Sequence, residues 1–378
     1  MACCGQNGAK RKEDIHDNVK EYYGKTLKSN EDLKTTACVT PSIKMKKHVT
    51  DAMKLIHDDV IMKYYGCGLV VPECLHGMKI LDLGSGSGRD CYALAKLVGE
   101  DGFVTGIDMT DEQLETANKY IEHHRDVFGF QKANVKFVKG YIENLKDAGI
   151  EDNSIDIIIS NCVINLCKDK KSVLQEAFRV LKDGGELYFS DIYADRELTD
   201  EIKKHKVLWG ECISGALHWK HLYSIAKEIG FEVPRTVSAT IVNVTKPELE
   251  SVVDEDLSDR SDAKFVSVTY RLFKLSTKVE REPKEVLYNG EIIGYEDEIQ
   301  FDHKLKFVKD TPQTIDGDTA AILLSSRFED EFEMKKAKCC ANPSKNEEID
   351  PFVLASSDKS TNNQGNGGGC CPGSQNCC

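Results

Sequence analysis

Three alternating glycines, Gly84, Gly86 and Gly88, follow the run Ile80-Leu81-Asp82-Leu83 and precede a stretch of helical pattern. Strand, tight turn and helix N-terminus in that order let the backbone approach a ligand closely, because glycine takes dihedrals that a Cβ forbids. Free N–H groups at a helix start then suit a polar or anionic group. A second chemistry is carried by thiols. Cys162 follows Ser160-Asn161 at the end of an apolar run, Cys67 stands in Tyr64-Tyr65-Gly66-Cys67-Gly68, and Cys212 stands in Trp209-Gly210-Glu211-Cys212. A lone cysteine is most often a small core residue. These three, however, fall where an open α/β sheet would present the carboxyl ends of its strands, the edge at which such sheets bind ligands. Three thiolates without histidine favour a soft, thiophilic centre. Zinc is a poor fit, because Cys212, His218 and His221 lack a second cysteine at ligand spacing.

The elements that must position these groups are legible as a pattern. Residues 13–65 read as helical, with Val19, Tyr22, Tyr23 and Leu27 on one face and Val49, Met53, Ile56 and Val60 on another. Strands are expected over 78–83, 103–107, 135–139, 154–160 and 186–190, and helices over 90–98, 111–127 and 171–181. Five strands joined by four crossovers, three of them through helices, predict a parallel, doubly wound sheet. Beyond it, helices are expected over 199–217 and 220–229 and a half-exposed strand over 265–275. Asn289-Gly290 between apolar flanks signals a hairpin. The tail from about Lys335 reads as disordered. The expected division is 1–70, an N-terminal helical segment and lid; 71–235, the ligand-binding core; 236–330, a small C-terminal α+β module; and 331–378, a Cys-rich tail.

Composition narrows the function. The 378 residues carry a formal charge of -13, which argues against a broad nucleic-acid surface. No apolar run approaches the roughly 20 residues that span a bilayer. The first residues lack a signal peptide's apolar core, so a cytoplasmic location is expected. The 15 cysteines are an odd number, which rules out complete internal pairing. Eight of them form vicinal pairs near the ends, Cys3-Cys4, Cys339-Cys340, Cys370-Cys371 and Cys377-Cys378. These read as exposed thiols on flexible tails, with capture of a thiophilic substrate as the sharper alternative.

The turn alone leaves the cofactor open. Its G-x-G-x-G spacing differs from the dinucleotide fingerprint G-x-G-x-x-G. Asp108, at the end of the second strand, is placed to accept hydrogen bonds from ribose hydroxyls in either a nicotinamide or an S-adenosylmethionine site. The downstream text separates the two. Arg179-Val180-Leu181-Lys182-Asp183-Gly184-Gly185-Glu186-Leu187 resembles the helix-to-strand junction of class I S-adenosylmethionine-dependent methyltransferases. Glu143 after the third strand and Ser160-Asn161 after the fourth match that family's order. The resemblance implies a doubly wound, mostly parallel Rossmann-like sheet with an N-terminal helical segment and a small antiparallel C-terminal module.

Finer resemblance adds the substrate. Y-Y-G-C-G at 64–68, L-D-L-G-S-G-S-G-R-D-C at 81–91, S-N-C-V-I-N-L at 160–166, G-G-E-L-Y-F-S-D at 184–191, H-K-V-L-W-G-E-C at 205–212 and T-A-A-I-L-L-S-S-R-F at 319–328 resemble the arsenite methyltransferase family, animal members in particular. The resemblance spans about residues 13–330. It implies that Cys67, Cys162 and Cys212 bind trivalent arsenic, and that Cys38 pairs with Cys67 during turnover. It also implies S-adenosylmethionine contacts from Tyr65, Asp82, Gly84, Ser85, Gly86, Asp108, Met109, Ile142, Glu143 and Asn161, with no metal cofactor. The implied substrates are arsenite and methylated arsenicals or their glutathione conjugates. The implied reductant is thioredoxin or glutathione, and no nucleic acid or membrane is involved. Cys74, Cys91 and Cys167 are expected to be structural. Two other readings remain: a methyltransferase with another small acceptor, and a thiol-rich metalloid-binding protein.

Overall fold

Apolar runs rich in Ile, Val and Leu, each closed by a glycine or an acid, become the strands of one central sheet. They are β1 (Lys79–Leu83), β2 (Phe103–Asp108), β3 (Val135–Lys139), β4 (Ile155–Asn161), β5 (Leu181–Ala194), β6 (Leu217–His218), β7 (Arg235–Val242) and β8 (Phe265–Phe273). The structure, a computed structural model, describes residues 15–26, 45–64, 68–242, 263–337, 343 and 345–361. The sheet order is β3-β2-β1-β4-β5-β8-β7, with β6 paired to the end of β5. The first five strands are mutually parallel, as four crossovers predict, whereas β7 and β8 run antiparallel. The inner strands β1 and β4 are buried on both faces, as parallel strands covered by helices must be. Strand order reverses at β1, so the ligand crevice of this topology opens between the ends of β1 and β4.

A smaller antiparallel unit follows. It contains β9 (Lys284–Tyr288), β10 (Glu298–Gln300), β11 (Lys306–Val308), β12 (Gln313–Ile315) and β13 (Phe332–Lys336), paired as β12-β9-β13 and β10-β11. Phe301, Phe307, Phe328 and Tyr288 fill its core together with Phe273 of β8. No helix among the described residues is long and apolar enough to cross a membrane.

Five expectations change. The strand expected to be half-exposed over 265–275 is β8, buried along nearly its whole length between β5 and β7. The helix expected over 111–127 is two, Asp111–Lys119 and Ile121–Phe128, broken at Tyr120, whose ring stacks on His57 at 3.9 Å. The helix expected over 199–217 gives way to two short ones, Asp200–Lys203 and Lys206–Gly210, and a loop. That loop contains Cys212 at φ 62, a left-handed conformation that no α-helix accepts. Asn289-Gly290 does not join two paired strands, because β9 pairs with β12 and β13 instead. The tail is not structureless: β13 completes the small sheet, and helix Pro351–Thr361 buries Ala355 in the main core.

The junction between the two units is a cluster of buried charges that no sequence pattern announced. Arg271 of β8 lies 2.5 Å from Glu186 of β5 and 3.3 Å from Glu73, and Arg327 lies 2.6 Å from Glu186. Arg271 also donates to the Phe301 carbonyl at 2.9 Å and packs over the Phe301 ring. Burial alone would raise the Glu186 pKa, but the two guanidiniums hold it below the usual range. Glu73, with weaker compensation, is raised by burial. Removing one partner of such a set strands an uncompensated charge, at a cost of about 3–5 kcal/mol. Arg271→Leu is therefore expected to lower stability by about that amount in urea unfolding. Adding Glu186→Leu should recover part of the loss; a single variant as stable as the parent would refute this role.

Candidate active site

The cleft opens where the topology requires. It measures about 980 Å³ out to its open mouth and is walled by the glycine turn, the end of β2, the loop after β3 and the end of β4. The turn holds its shape through glycine. Gly84 takes φ 75, and a Cβ on it would lie 2.6 Å from Val163. Gly86 takes φ 52 and donates its N–H to Asp108 at 2.9 Å. The second Asp108 oxygen accepts from the Thr110 N–H at 2.8 Å, so the carboxylate is fixed and keeps lone pairs free for a ligand.

Ser85, Met109, Ile142, Glu143 and Asn161 line the same cleft with Gly84, Gly86 and Asp108, where the family resemblance put them. Asp82 does not. It lies buried beneath the turn, with the Cys91 thiol 3.1 Å from its carboxylate. Tyr65, Cys67 and Cys38 lie outside the described residues, as do the four vicinal cysteine pairs. The chain flanking Cys67 is nevertheless held: the Gly68 carbonyl accepts from Asn161 at 2.9 Å and from Arg89 at 2.6 Å. The Arg89 guanidinium also sits 3.1 Å over the Tyr64 ring.

The residues present fit S-adenosylmethionine. Ser85 Oγ, Gln113 Oε1 and Asn161 Oδ1 are buried polar atoms without hydrogen-bond partners, and all three residues line the cleft. Buried polar atoms are rarely left unpaired, so three together mark ligand contacts. Val19, Met109, Ile142, Val163 and Leu166 supply apolar walls. Asp82, Asp90 and Asp108 gather beneath the turn, and burial together with the Asp90 charge pushes Asp82 up to about 8. Such a site favours a ligand carrying positive charge.

The sulfur half adjoins it. Cys162 follows β4, its N–H bonded to the Ser190 carbonyl of β5 at 2.8 Å. The Cys212 thiol donates to the Cys162 carbonyl at 3.0 Å. Both cysteines take left-handed backbone, φ 57 and 62, which non-glycine residues hold at a cost of about 1–3 kcal/mol each and mostly at functional sites. Cys162 is disulfide-bonded, whereas Cys212 keeps its thiol hydrogen. Cys167 lies on the cleft wall, its thiol pushed up by burial and by Glu143.

Sequence reasoning missed the groups around this pair. The helix Ile15–Glu21 and the turn after it cross the cleft mouth. His16 bonds Glu143 at 2.9 Å, Tyr23 donates to the Gly210 carbonyl at 2.8 Å, and Tyr22 donates to Glu211. Behind the sulfurs lie Asn165, Lys170 and Asp191, with burial pushing Asp191 up to about 7. Asn165 and Asp191 stood in the quoted stretches S-N-C-V-I-N-L and F-S-D, but only their burial assigns them.

A parallel sheet reversing at β1, a glycine turn with an acid after β2, and a cleft between them define a class I S-adenosylmethionine-dependent methyltransferase. Comparison with known proteins agrees and goes further. Residues 75–230 match a methyltransferase domain, and residues 281–378 match the arsenite methyltransferase C-terminal domain. The chain is 48% identical to the arsenite methyltransferase of Homo sapiens, over 98% of this chain and 100% of that one. It is 46% identical to that of Aquipseudomonas alcaligenes over 84% and 90%. Its fold matches the crystal structure of an arsenic(III) S-adenosylmethionine methyltransferase from Chlamydomonas reinhardtii with TM-score 0.72 and 39% identity, covering 80% of this chain and 100% of that one. The chain belongs to the arsenite methyltransferase family.

Asp82 gives a pH test. Its folded pKa of about 8 lies above the 3.8 of a free carboxyl. Stability from this group is therefore full below pH 3.8 and is lost as pH rises through about 8. Asp82→Asn stays neutral, so its Tm advantage over the parent, measured by calorimetry without ligand, should be larger at pH 8 than at pH 5. Its S-adenosylmethionine affinity should fall. An equal Tm difference at both pH values would contradict the assignment.

Proposed function

We propose that this chain transfers methyl groups from S-adenosylmethionine to trivalent arsenic held by Cys67, Cys162 and Cys212, giving mono- and dimethylated arsenicals. The observation that carries the reading is Cys162 on the wall of the cleft that holds the unpartnered polar atoms, with the buried Cys212 thiol donating to the Cys162 carbonyl at 3.0 Å. When bound, S-adenosylmethionine supplies an electrophilic methyl on a positively charged sulfur. Ser85, Gln113 and Asn161 hold it, Asp108 accepts from its ribose, and the acids beneath the turn favour its charge.

The chain's share of the reaction is binding and orientation. Arsenic bound by three sulfurs keeps a lone pair, so the acceptor needs no general base. The lone pair takes the methyl in line, and the electron pair of the breaking S–C bond stays on the departing sulfur. Holding donor and acceptor in this geometry supplies several kcal/mol of the barrier. Methylation leaves arsenic formally pentavalent. Cys38 then attacks the arsenic-bound Cys67 sulfur: their S–S bond forms, the As–S bond to Cys67 breaks with its electron pair left on arsenic, which is thereby trivalent again, and the Cys38 proton is released. Thioredoxin or glutathione then reduces that disulfide, and the reducing cytosol is the location this chemistry calls for. Arsenite and methylated arsenicals, free or as glutathione conjugates, are the substrates of this reading.

Cys212→Ser is expected to abolish arsenite methylation, followed by arsenic speciation, while S-adenosylmethionine binding in calorimetry persists. Retained methylation would sink the arsenic assignment and leave a methyltransferase for another acceptor. The oxidised Cys162 gives a second test. Arsenite should leave the fluorescence of Trp209, whose indole N–H bonds the Leu166 carbonyl at 2.9 Å, unchanged until a thiol reductant is added. Equal responses with and without reductant would argue against Cys162 as a ligand.

A further inference from the structure

Cys162 and Cys212 come from loops 50 positions apart in sequence, and each holds a backbone conformation that cysteine seldom adopts. Something must fix the two loops against each other. Asn165 is placed to do so. It lies in the single 3-10 turn Ile164–Leu166 after Cys162 and is 2% exposed. Its amide nitrogen donates to the Ile192 carbonyl at 2.7 Å and to the Cys212 carbonyl at 3.3 Å. Both amide hydrogens are thereby used, one on β5 and one on the loop of the second cysteine. Its backbone is held as firmly. The N–H donates to Asp191 at 2.9 Å, and the carbonyl accepts from the buried Lys170 at 3.3 Å. That carbonyl also presses on the Cys212 loop, where a Cβ on Gly215 would lie 1.8 Å from it.

We propose that Asn165 is a positioning residue that sets the Cys162 and Cys212 sulfurs side by side for arsenic; the proposal rests on the arsenic reading above. Asn165 touches neither arsenic nor the methyl donor. It acts through the Cys212 carbonyl and through the strand that the Cys162 loop follows. Its chemistry is specific: one nitrogen must donate twice to two carbonyls. Aspartate has the same shape but no donor, and it would set an oxygen against both carbonyls. Serine has a single donor on a shorter stem.

The test uses the full-length reduced protein with Asn165→Asp and Asn165→Ser. Arsenite affinity is read from Trp209 fluorescence, S-adenosylmethionine affinity from calorimetry, and the number of sulfur neighbours of bound arsenic from X-ray absorption. In the parent, arsenic should show three sulfur neighbours. In Asn165→Asp, one should be replaced by oxygen and arsenite affinity should fall about tenfold or more. S-adenosylmethionine affinity should stay unchanged, and Asn165→Ser should fall between the two. A merely structural role would weaken both ligands together and would leave the coordination of bound arsenic intact. Three sulfur neighbours with parental arsenite affinity in either variant would overturn the proposal. Should Asn165→Asp fail to bind S-adenosylmethionine, the serine variant alone decides. Cys212→Ser, measured alongside, separates the two claims. If it keeps parental arsenite affinity and coordination, the arsenic reading itself fails. If it loses them while the Asn165 variants do not, only the positioning role fails.

Discussion

Two carboxylates and two guanidiniums buried together, Glu73, Glu186, Arg271 and Arg327, are the interaction on which the architecture turns. Their formal charges cancel, and each comes from a different stretch of chain: the segment before β1, strands β5 and β8, and the small C-terminal unit. Ions removed from water are stable only when mutually satisfied, so none of these stretches can move without exposing another's charge. The C-terminal unit is thereby docked by charge as well as by the phenylalanines packed around Arg271.

The same strand that carries Glu186 carries the back wall of the site. Asp191 and Ile192 lie five and six residues further along β5, about 17–20 Å from the ion cluster at strand spacing. A strand fixed in register at one end is fixed at the other. Asn165 bonds to both Asp191 and Ile192, and through it the register of β5 reaches the Cys212 loop. The small unit thus contributes to the site without lining it.

The cleft itself divides its work by chemistry. Side-chain oxygens that lack hydrogen-bond partners line the place for the methyl donor, and a buried acid cluster beneath the turn sets its electrostatics. The sulfurs stand at the neighbouring strand end on strained backbone. The segment Ile15–Thr26 bridges the two halves, bonding Glu143 at one end and Gly210 at the other. Buried hydrogen bonds hold the strained backbone at both cysteines.

Much of this was legible in the chain. The glycine turn, the acid at Asp108, the parallel sheet and the place of Cys162 after β4 follow from local patterning: apolar runs of strand length, glycines where φ must be positive, a cysteine at a strand end. The ordered helix at 351–361 and the division of the 199–217 segment did not follow, because partners distant in sequence decide them. Polar composition hides a helix whose one apolar face finds a sheet, and helical periodicity hides a loop bent around Cys212. The acid Asp82, a cofactor contact by family resemblance, does not line the cleft; the turn folds over it and buries it beside Cys91. Local sequence thus determined the elements and the reactive groups, since propensity, turn geometry and thiol chemistry act over a few residues. The tertiary structure alone decided which polar atoms lose their partners, which charges are buried together and how Asn165 joins the two cysteine loops, because each depends on groups tens to hundreds of residues apart meeting out of water.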